Sequence, residues 1–561
     1  MKELLARLFA KPMIAFELIA ASFFANMLAL ATSLYVIQVL NRYVSYGVDS
    51  TLATLTVGVL IAIILEFGFR QARLMLASTI SSESDETLII GSFGILTGAK
   101  AAAMDILPPG LRREVLSGAD TVQTAYNAPN IAAILDVPFA LVFVAALFML
   151  SPLIAIVVTF FVVGVLIFGI GGQSALRKPT QDLAMVSARR GALVGAAIAA
   201  ADTVRAFNAA AFMRNIWRKE SVVHQGLRRR VISLQGLIQT LTPSVQATMS
   251  VTVIAIGATQ VIAGDLDVGA MIGCNILAAR ALGPMTRLAQ LGEAFAKARQ
   301  SLSMFQEFSK LPQERVQGSA LTEYKGGVEF VDLAFAYPGA NAPLFESLSL
   351  KLEPGSIMVV FGANGTGKST MARLLLGLVE PSRGHILADG VDLAQVVPEW
   401  WRKQVAYLPQ EPRLLNVSIR ENLTVFNPDL DDAGISRLIK AAGLRSYIDQ
   451  SPDGLEARIT HNGENMSLGI RRRMALSRAL ACDGKLAVFD EPTEGLDKEG
   501  SAQVYAAMNA MAKRGHTTIV FSHDPRILKG AGYLLDLNFK PTPKFTSMTP
   551  EMQKMLKGGK T

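Results

Sequence analysis

Nine consecutive residues, Gly362-Ala363-Asn364-Gly365-Thr366-Gly367-Lys368-Ser369-Thr370, have the types and spacing needed to hold a chain of phosphates. They follow an apolar strand pattern, Ile357–Phe361, and open a helical pattern, Thr370–Leu378. In that context glycines let backbone N–H groups curl around phosphate oxygens, and the helix N-terminus adds a favourable dipole. Lys368 is then placed to reach the β- and γ-phosphates, and the Ser369 hydroxyl to ligate Mg²⁺.

A second group lies about 120 residues on, where the apolar run Leu486-Ala487-Val488-Phe489 ends in Asp490 and Glu491. Asp490 is placed to hold Mg²⁺ directly or through water, and Glu491 to polarise an attacking water. Pro492 and Asp497 follow. A strand ending in two carboxylates is weak evidence alone; at this spacing from a phosphate loop it points to phosphoryl transfer.

The rest of the chain must position these residues, and its composition is lopsided. Of 561 residues, 51% are hydrophobic and 18% charged, with a mean hydropathy of +0.35. Long apolar runs occupy the chain up to about residue 300, and a globular pattern follows. Six runs are long enough to span a bilayer, near Met13–Leu40, Thr51–Phe69, Ile131–Leu150, Pro152–Ile170, Pro243–Ala263 and Val268–Leu288. The first is too long for the apolar core of a secretory signal and is read as a retained span. Cys274 and Cys482 form no disulfide framework.

The net charge of +8 is not a nucleic-acid footprint, because the basic residues flank the spans and form no basic-aromatic face. Lys2, Arg7 and Lys11 precede span one; Arg70, Arg73, Lys100, Arg112 and Arg113 follow span two; Arg177 to Arg230 follow span four. The intervening loops are short and poor in positive charge. Both termini are therefore expected in the cytoplasm. The segments between spans two and three, and four and five, each run for roughly 60 to 70 residues, too long to be structureless, so the helices are expected to continue as stalks. Arg280 falls inside the sixth span, either snorkelling or lining a path.

The order of motifs from about residue 325 to 540 resembles the nucleotide-binding domain of ABC transporters, which implies ATP with Mg²⁺ as ligands. Gly362, Asn364, Gly365, Gly367, Lys368, Ser369 and Thr370 match its phosphate loop, and Asp490 and Glu491 its metal-binding and catalytic carboxylates. Tyr337 matches the aromatic that stacks on adenine. Gln410 matches the glutamine that senses Mg²⁺ and the attacking water and couples to the membrane half. Glu494–Asp497 match the dimer-contact loop, and His523 the switch histidine at the γ-phosphate. His224, His385, His461 and His516 match nothing and are expected at the surface.

One motif departs from the family. Its signature, Leu-Ser-Gly-Gly-Gln, here reads Met466-Ser467-Leu468-Gly469-Ile470, keeping Ser467 and Gly469 as nucleotide contacts. In the family this segment closes on ATP held by the other subunit. Leu468 should crowd that approach, and Ile470 cannot donate the hydrogen bond that glutamine can. Either hydrolysis is slow or a partner chain supplies an intact signature.

The membrane half is similar to type I secretion ATPases of the protease, lipase and adhesin exporter type. The similarity lies in Tyr35–Val44, Ser50–Leu55, Leu135–Phe139, Ser151–Leu153 and Gly269–Pro284, and the family places an arginine at Arg280. It implies a type I ABC exporter fold: a helical bundle of six spans with long cytoplasmic helices, followed by an α/β P-loop domain. The expected division is 1–310 transmembrane, 311–324 linker, 325–540 nucleotide-binding and 541–561 flexible tail. The resemblance further implies a multi-pass protein of the inner membrane that exports unfolded protein as a homodimer, with a periplasmic adaptor and an outer-membrane channel. With a dozen residues before span one, no peptidase-like domain is expected there. A lipid or drug exporter, and a weakly hydrolysing half of a heterodimer, stay open.

Overall fold

A computed structural model describes residues 2–107, 109–319, 323–340 and 342–548. The chain folds as two compact units, the first running to Pro312 except for Lys100–Ala102, which fall with the second, from Gln313 on.

In the first unit six helices among the described residues are long and apolar enough to cross a membrane. They are α1 (Pro12–Tyr43), α2 (Asp49–Gly98), α3 (Ala128–Leu150), α4 (Pro152–Ala199), α5 (Ala210–Ala263) and α6 (Val268–Gln290). Each contains one expected span. α2, α4 and α5 have 50, 48 and 54 residues, which makes them about 70–80 Å long against a hydrocarbon core of ~30 Å. Between spans four and five α4 and α5 are carried onward almost to meeting; between spans two and three only α2 continues, to Gly98, and separate helices Ala101–Ile106 and Pro109–Ala125 return. Ser151 starts α4 by accepting from the Ile154 N–H at 3.3 Å, with Pro152 in the first turn. α5 stops at Gly264, whose φ of 80° suits glycine.

Polar side chains tie these apolar helices together. A turn at residues 136–139 interrupts α3. There Asp136 accepts from Asn26 of α1 at 2.9 Å and from Arg73 of α2 at 2.5 Å. All three are buried, and charges held away from water must be paired to be tolerated. Arg280 of α6 lies 3.6 Å from Glu66 of α2, which also pairs with Arg70 at 2.7 Å. No motif in the sequence marks Glu66.

Among the described residues the second unit carries ten strands: β1 (Val328–Phe335), β2 (Phe345–Leu352), β3 (Ile357–Phe361), β4 (Arg383–Ala388), β5 (Val391–Asp392), β6 (Val405–Leu408), β7 (Leu486–Asp490), β8 (Thr517–Phe521), β9 (Tyr533–Asp536) and β10 (Lys544–Ser547). One sheet is antiparallel in the order β2-β1-β4-β5. The other runs β10-β9-β3-β8-β7-β6, parallel except for β10. β7 and β8 are buried at every residue, as strands covered on both faces must be. Phe489 and Phe521 in them are among the largest fully buried side chains. Helices α7 (Lys368–Leu375), α8 (Leu468–Leu480) and α9 (Lys498–Lys513) belong to the same unit. β3, β8 and β7 are neighbours, so the segments leaving their carboxyl ends share one edge, where parallel sheets bind ligands.

Three expectations need correction. The tail from 541 is not free throughout: β10 pairs antiparallel with β9, and Phe545 stacks on Tyr533 at 5.4 Å. Residues 549–561 of that tail lie outside the described residues. The expected linker 311–324 is partly packed, with Glu314 holding Arg402 through two 2.7 Å bonds and Tyr324 buried against Trp401; residues 320–322 lie outside the description. His516 is buried rather than at the surface, and that burial lowers its pKa.

Candidate functional site

The loop 362–367 leaves β3 and turns into α7. Gly365 and Gly367 take φ of 81° and 108°, a region where a side chain would be strained. A Cβ on Gly367 would also meet Leu344 at 2.5 Å. Asn364 is exposed within this loop. Lys368 Nζ donates to the Gly362 carbonyl at 2.7 Å and lies 2.8 Å from His523 Nε2 and 3.4 Å from Glu491 Oε1. His523 Nε2 is itself 3.9 Å from that Glu491 oxygen. Residues from β3, β7 and β8 thus converge within one side-chain length.

Asp490 closes β7 at 2% exposure. Burial, reinforced by neighbouring Glu491 and opposed by a hydrogen bond from Ser369, pushes its pKa up to about 6. One of its carboxylate oxygens, Oδ1, has no hydrogen-bond partner. A buried carboxylate oxygen left unpaired costs free energy, and a hard divalent cation would satisfy it. Ser369 and Asp490 therefore fit Mg²⁺ by donor type and by this vacant acceptor.

Glu491 takes φ of 43°, uncommon for a non-glycine residue and a form of strain found at functional sites. Its N–H donates to the Phe521 carbonyl at 2.8 Å, locking it to β8. Gln410, after β6, donates from Nε2 to Glu494 at 3.0 Å. Tyr337 is half exposed, and its hydroxyl is bonded to that of Thr370 at 2.8 Å, which leaves the ring beside the phosphate loop.

Ser467 and Gly469 are not brought to this cluster. Ser467 caps α8 by accepting from the Ile470 N–H at 3.3 Å. A Cβ on Gly469 would meet nothing within 4 Å, so that helix end presents an open face. Leu468 lies partly exposed beside it.

Arg472 of α8 is a further residue of the site. It is 4% exposed and donates to the main-chain oxygens of Gln410 at 3.0 Å and Glu491 at 3.4 Å, and to the Glu494 carboxylate at 3.5 Å. A signal was present: Arg472 is in phase with buried Ala475, Leu476 and Ala479 on the inner face of α8.

The family model described as ABC transporter matches residues 345–494, and that described as ABC transporter transmembrane region matches residues 15–285. The exotoxin translocation ATP-binding protein PaxB of Pasteurella aerogenes is 28% identical over 508 residues, 90% of this chain and 71% of that protein. The leukotoxin translocation ATP-binding protein LktB of Mannheimia haemolytica is 28% identical over 520 residues, 92% of this chain and 73% of its own length. A bacterial Atm1-family ABC exporter solved with ATP bound superposes with a TM-score of 0.83 over 97% of this chain and 96% of that one; at 18% identity it speaks for the fold alone.

Proposed function

Because the chain belongs to the ABC transporters and couples ATP hydrolysis to export, we propose that it is the ATP-binding component of a type I secretion system and moves an unfolded protein across the inner membrane. The observation that carries this reading is the similarity to two toxin-translocation proteins over nine-tenths of the chain, both units included. On this reading both termini are cytoplasmic, and the chain works with a periplasmic adaptor and an outer-membrane channel.

The site residues take roles that follow from their positions. Amides of the loop 362–367 and the Lys368 ammonium hold the β- and γ-phosphates of ATP. The Tyr337 ring offers a stacking surface to the adenine. Ser369 and Asp490, with Gln410, would hold Mg²⁺, which when bound neutralises charge on the phosphate oxygens. Glu491 orients water for in-line attack on the γ-phosphorus and takes its proton, while the P–O bond to ADP breaks. His523 donates to the γ-phosphate, which competes with its contact to Lys368. A homodimer completes the site: the Ser467 end of each α8, open and capped, closes on the ATP held by the other copy.

The test is export of a protein with a C-terminal secretion signal from cells carrying this chain, an adaptor and an outer-membrane channel. Export that stops with Glu491→Gln and with deletion of the signal supports the reading. Export indifferent to the signal, with ATP turnover stimulated by lipid instead, would replace it with a lipid exporter.

A further inference from the structure

α4 and α5 run side by side, and between them lies a cavity of about 880 Å³, within the size range of ligand sites. Arg190 of α4 lines it, with Arg214, Trp217, Arg218, His224 and Arg228 of α5. The Arg190 guanidinium covers the Trp217 ring, 4.4 Å from its centroid. Arg190 Nε and Ser221 Oγ in this wall are buried without hydrogen-bond partners. Among the described residues these four arginines have no carboxylate partner; nearby ion pairs join Arg205 to Asp202 and Lys297 to Glu293. A cleft lined by one sign of charge focuses the field and concentrates anions.

A second cavity of about 380 Å³ shares His224 and Arg228 with the first and runs on to Val231 and Ile232, with Leu183 of α4 in its wall. Its carboxylate, Glu293, is held by Lys297 at 2.6 Å. Together the cavities follow α5 from Ala211 to Gln235, 24 steps or about 36 Å of helix. That length suits an extended segment of about ten residues, at ~3.3 Å each, better than a compact anion.

Distance from the membrane excludes a lipid headgroup. The apolar stretch of α4 ends near Ile170 and that of α5 begins near Pro243. Arg190 lies 20 residues beyond the first and Arg228 lies 15 before the second. At 1.5 Å per residue they stand about 30 and 22 Å outside the hydrocarbon, whereas headgroups occupy only ~5–8 Å per side.

We propose that this track is a docking site for an extended peptide of acidic and apolar residues, a segment of the cargo held before transport. Acidic side chains meet the arginines, and apolar ones lie against Leu183, Val231 and Ile232. The cargo role rests on the protein-export reading; the binding of such a peptide does not.

The experiment uses the full chain in nanodiscs and a fluorescein-labelled decapeptide alternating Asp and Leu, beside the same peptide with Asn for Asp. Expected are binding of the Asp peptide alone, weakened by salt, and a loss of tenfold or more in Arg214→Gln/Arg218→Gln. The unlabelled peptide should change the tryptophan fluorescence of the wild type and leave that of Trp217→Phe unchanged. ATP turnover retained in these variants reports an intact fold. Equal binding of both peptides, indifference to the arginine changes, or displacement by phosphatidylglycerol vesicles or by ATP would overturn the site. Cargo export that persists in the arginine variant after peptide binding is lost would overturn the cargo role. Peptide binding by a chain that exports no protein supports the site and removes only the export reading.

Discussion

Arg472 donates through Nη2 to the main-chain oxygen of Gln410 at 3.0 Å. The same guanidinium reaches the Glu491 carbonyl, so one side chain of α8 fixes the segments after β6 and β7 from behind. Replacing it with Met should leave both carbonyls short of a donor, at a cost of about 1–3 kcal/mol. A lower melting temperature is expected, with turnover reduced more than ATP affinity. Lys should restore part of each. Unchanged kcat in Arg472→Met would contradict the positioning role.

Glu491→Gln keeps shape and removes the proton acceptor. Turnover should fall by about 10²–10⁴-fold while ATP binding persists, read by radiolabelled ATP retention against phosphate release.

The raised pKa of Asp490 gives a signed pH dependence. A carboxyl whose pKa is lifted by folding from 3.8 to about 6 favours the fold in its protonated form. That contribution is whole below 3.8 and is lost as pH rises through about 6. Mg²⁺ needs the deprotonated form, so its stabilising effect should grow across the same window. Asp490→Asn should melt higher than wild type above pH 6 without Mg²⁺, yet fail to hydrolyse ATP. Thermal unfolding at pH 5 and 8, with and without Mg²⁺, checks both; a metal-free variant no more stable than wild type would be the contrary result.

The altered signature is testable by repair. Leu468→Gly with Ile470→Gln should raise turnover in the purified chain, since it opens the approach at the α8 end and adds a donor. Vigorous hydrolysis by the unrepaired chain, abolished by Glu491→Gln, would identify a self-sufficient homodimer. Activity that begins only after repair would mean that a partner chain supplies the second signature.

In the first unit, Asp136→Ala should strand the Arg73 charge and cost about 3–5 kcal/mol, whereas Arg73→Leu/Asp136→Leu should recover most of it. Melting temperatures in nanodiscs distinguish the two. A double variant as unstable as the single one would mean that the pair contributes more than mutual compensation.

The phosphate loop, Asp490 and Glu491 were legible because their chemistry dictates a local strand–loop–helix pattern. The six spans were legible because hydrocarbon fixes their length. The role of Arg472 was not, since it lies in a run of three arginines and only the helical phase with Ala475, Leu476 and Ala479 sets the middle one on the buried face. Asp136 with Asn26, and Arg280 with Glu66, are pairs distant in sequence that only the packing joins. β10 escaped notice because four residues, Lys-Phe-Thr-Ser, are too few to set a period.

That short strand has a practical bearing. β10 pairs with β9 through all four of its residues, so a chain cut at Lys540 would present the row of backbone groups that β10 now covers. Such bare edges recruit strands from other molecules. Affinity tags and truncations placed beyond Ser547 should leave a dispersed preparation, whereas those that remove 541–548 should give one that self-associates on storage.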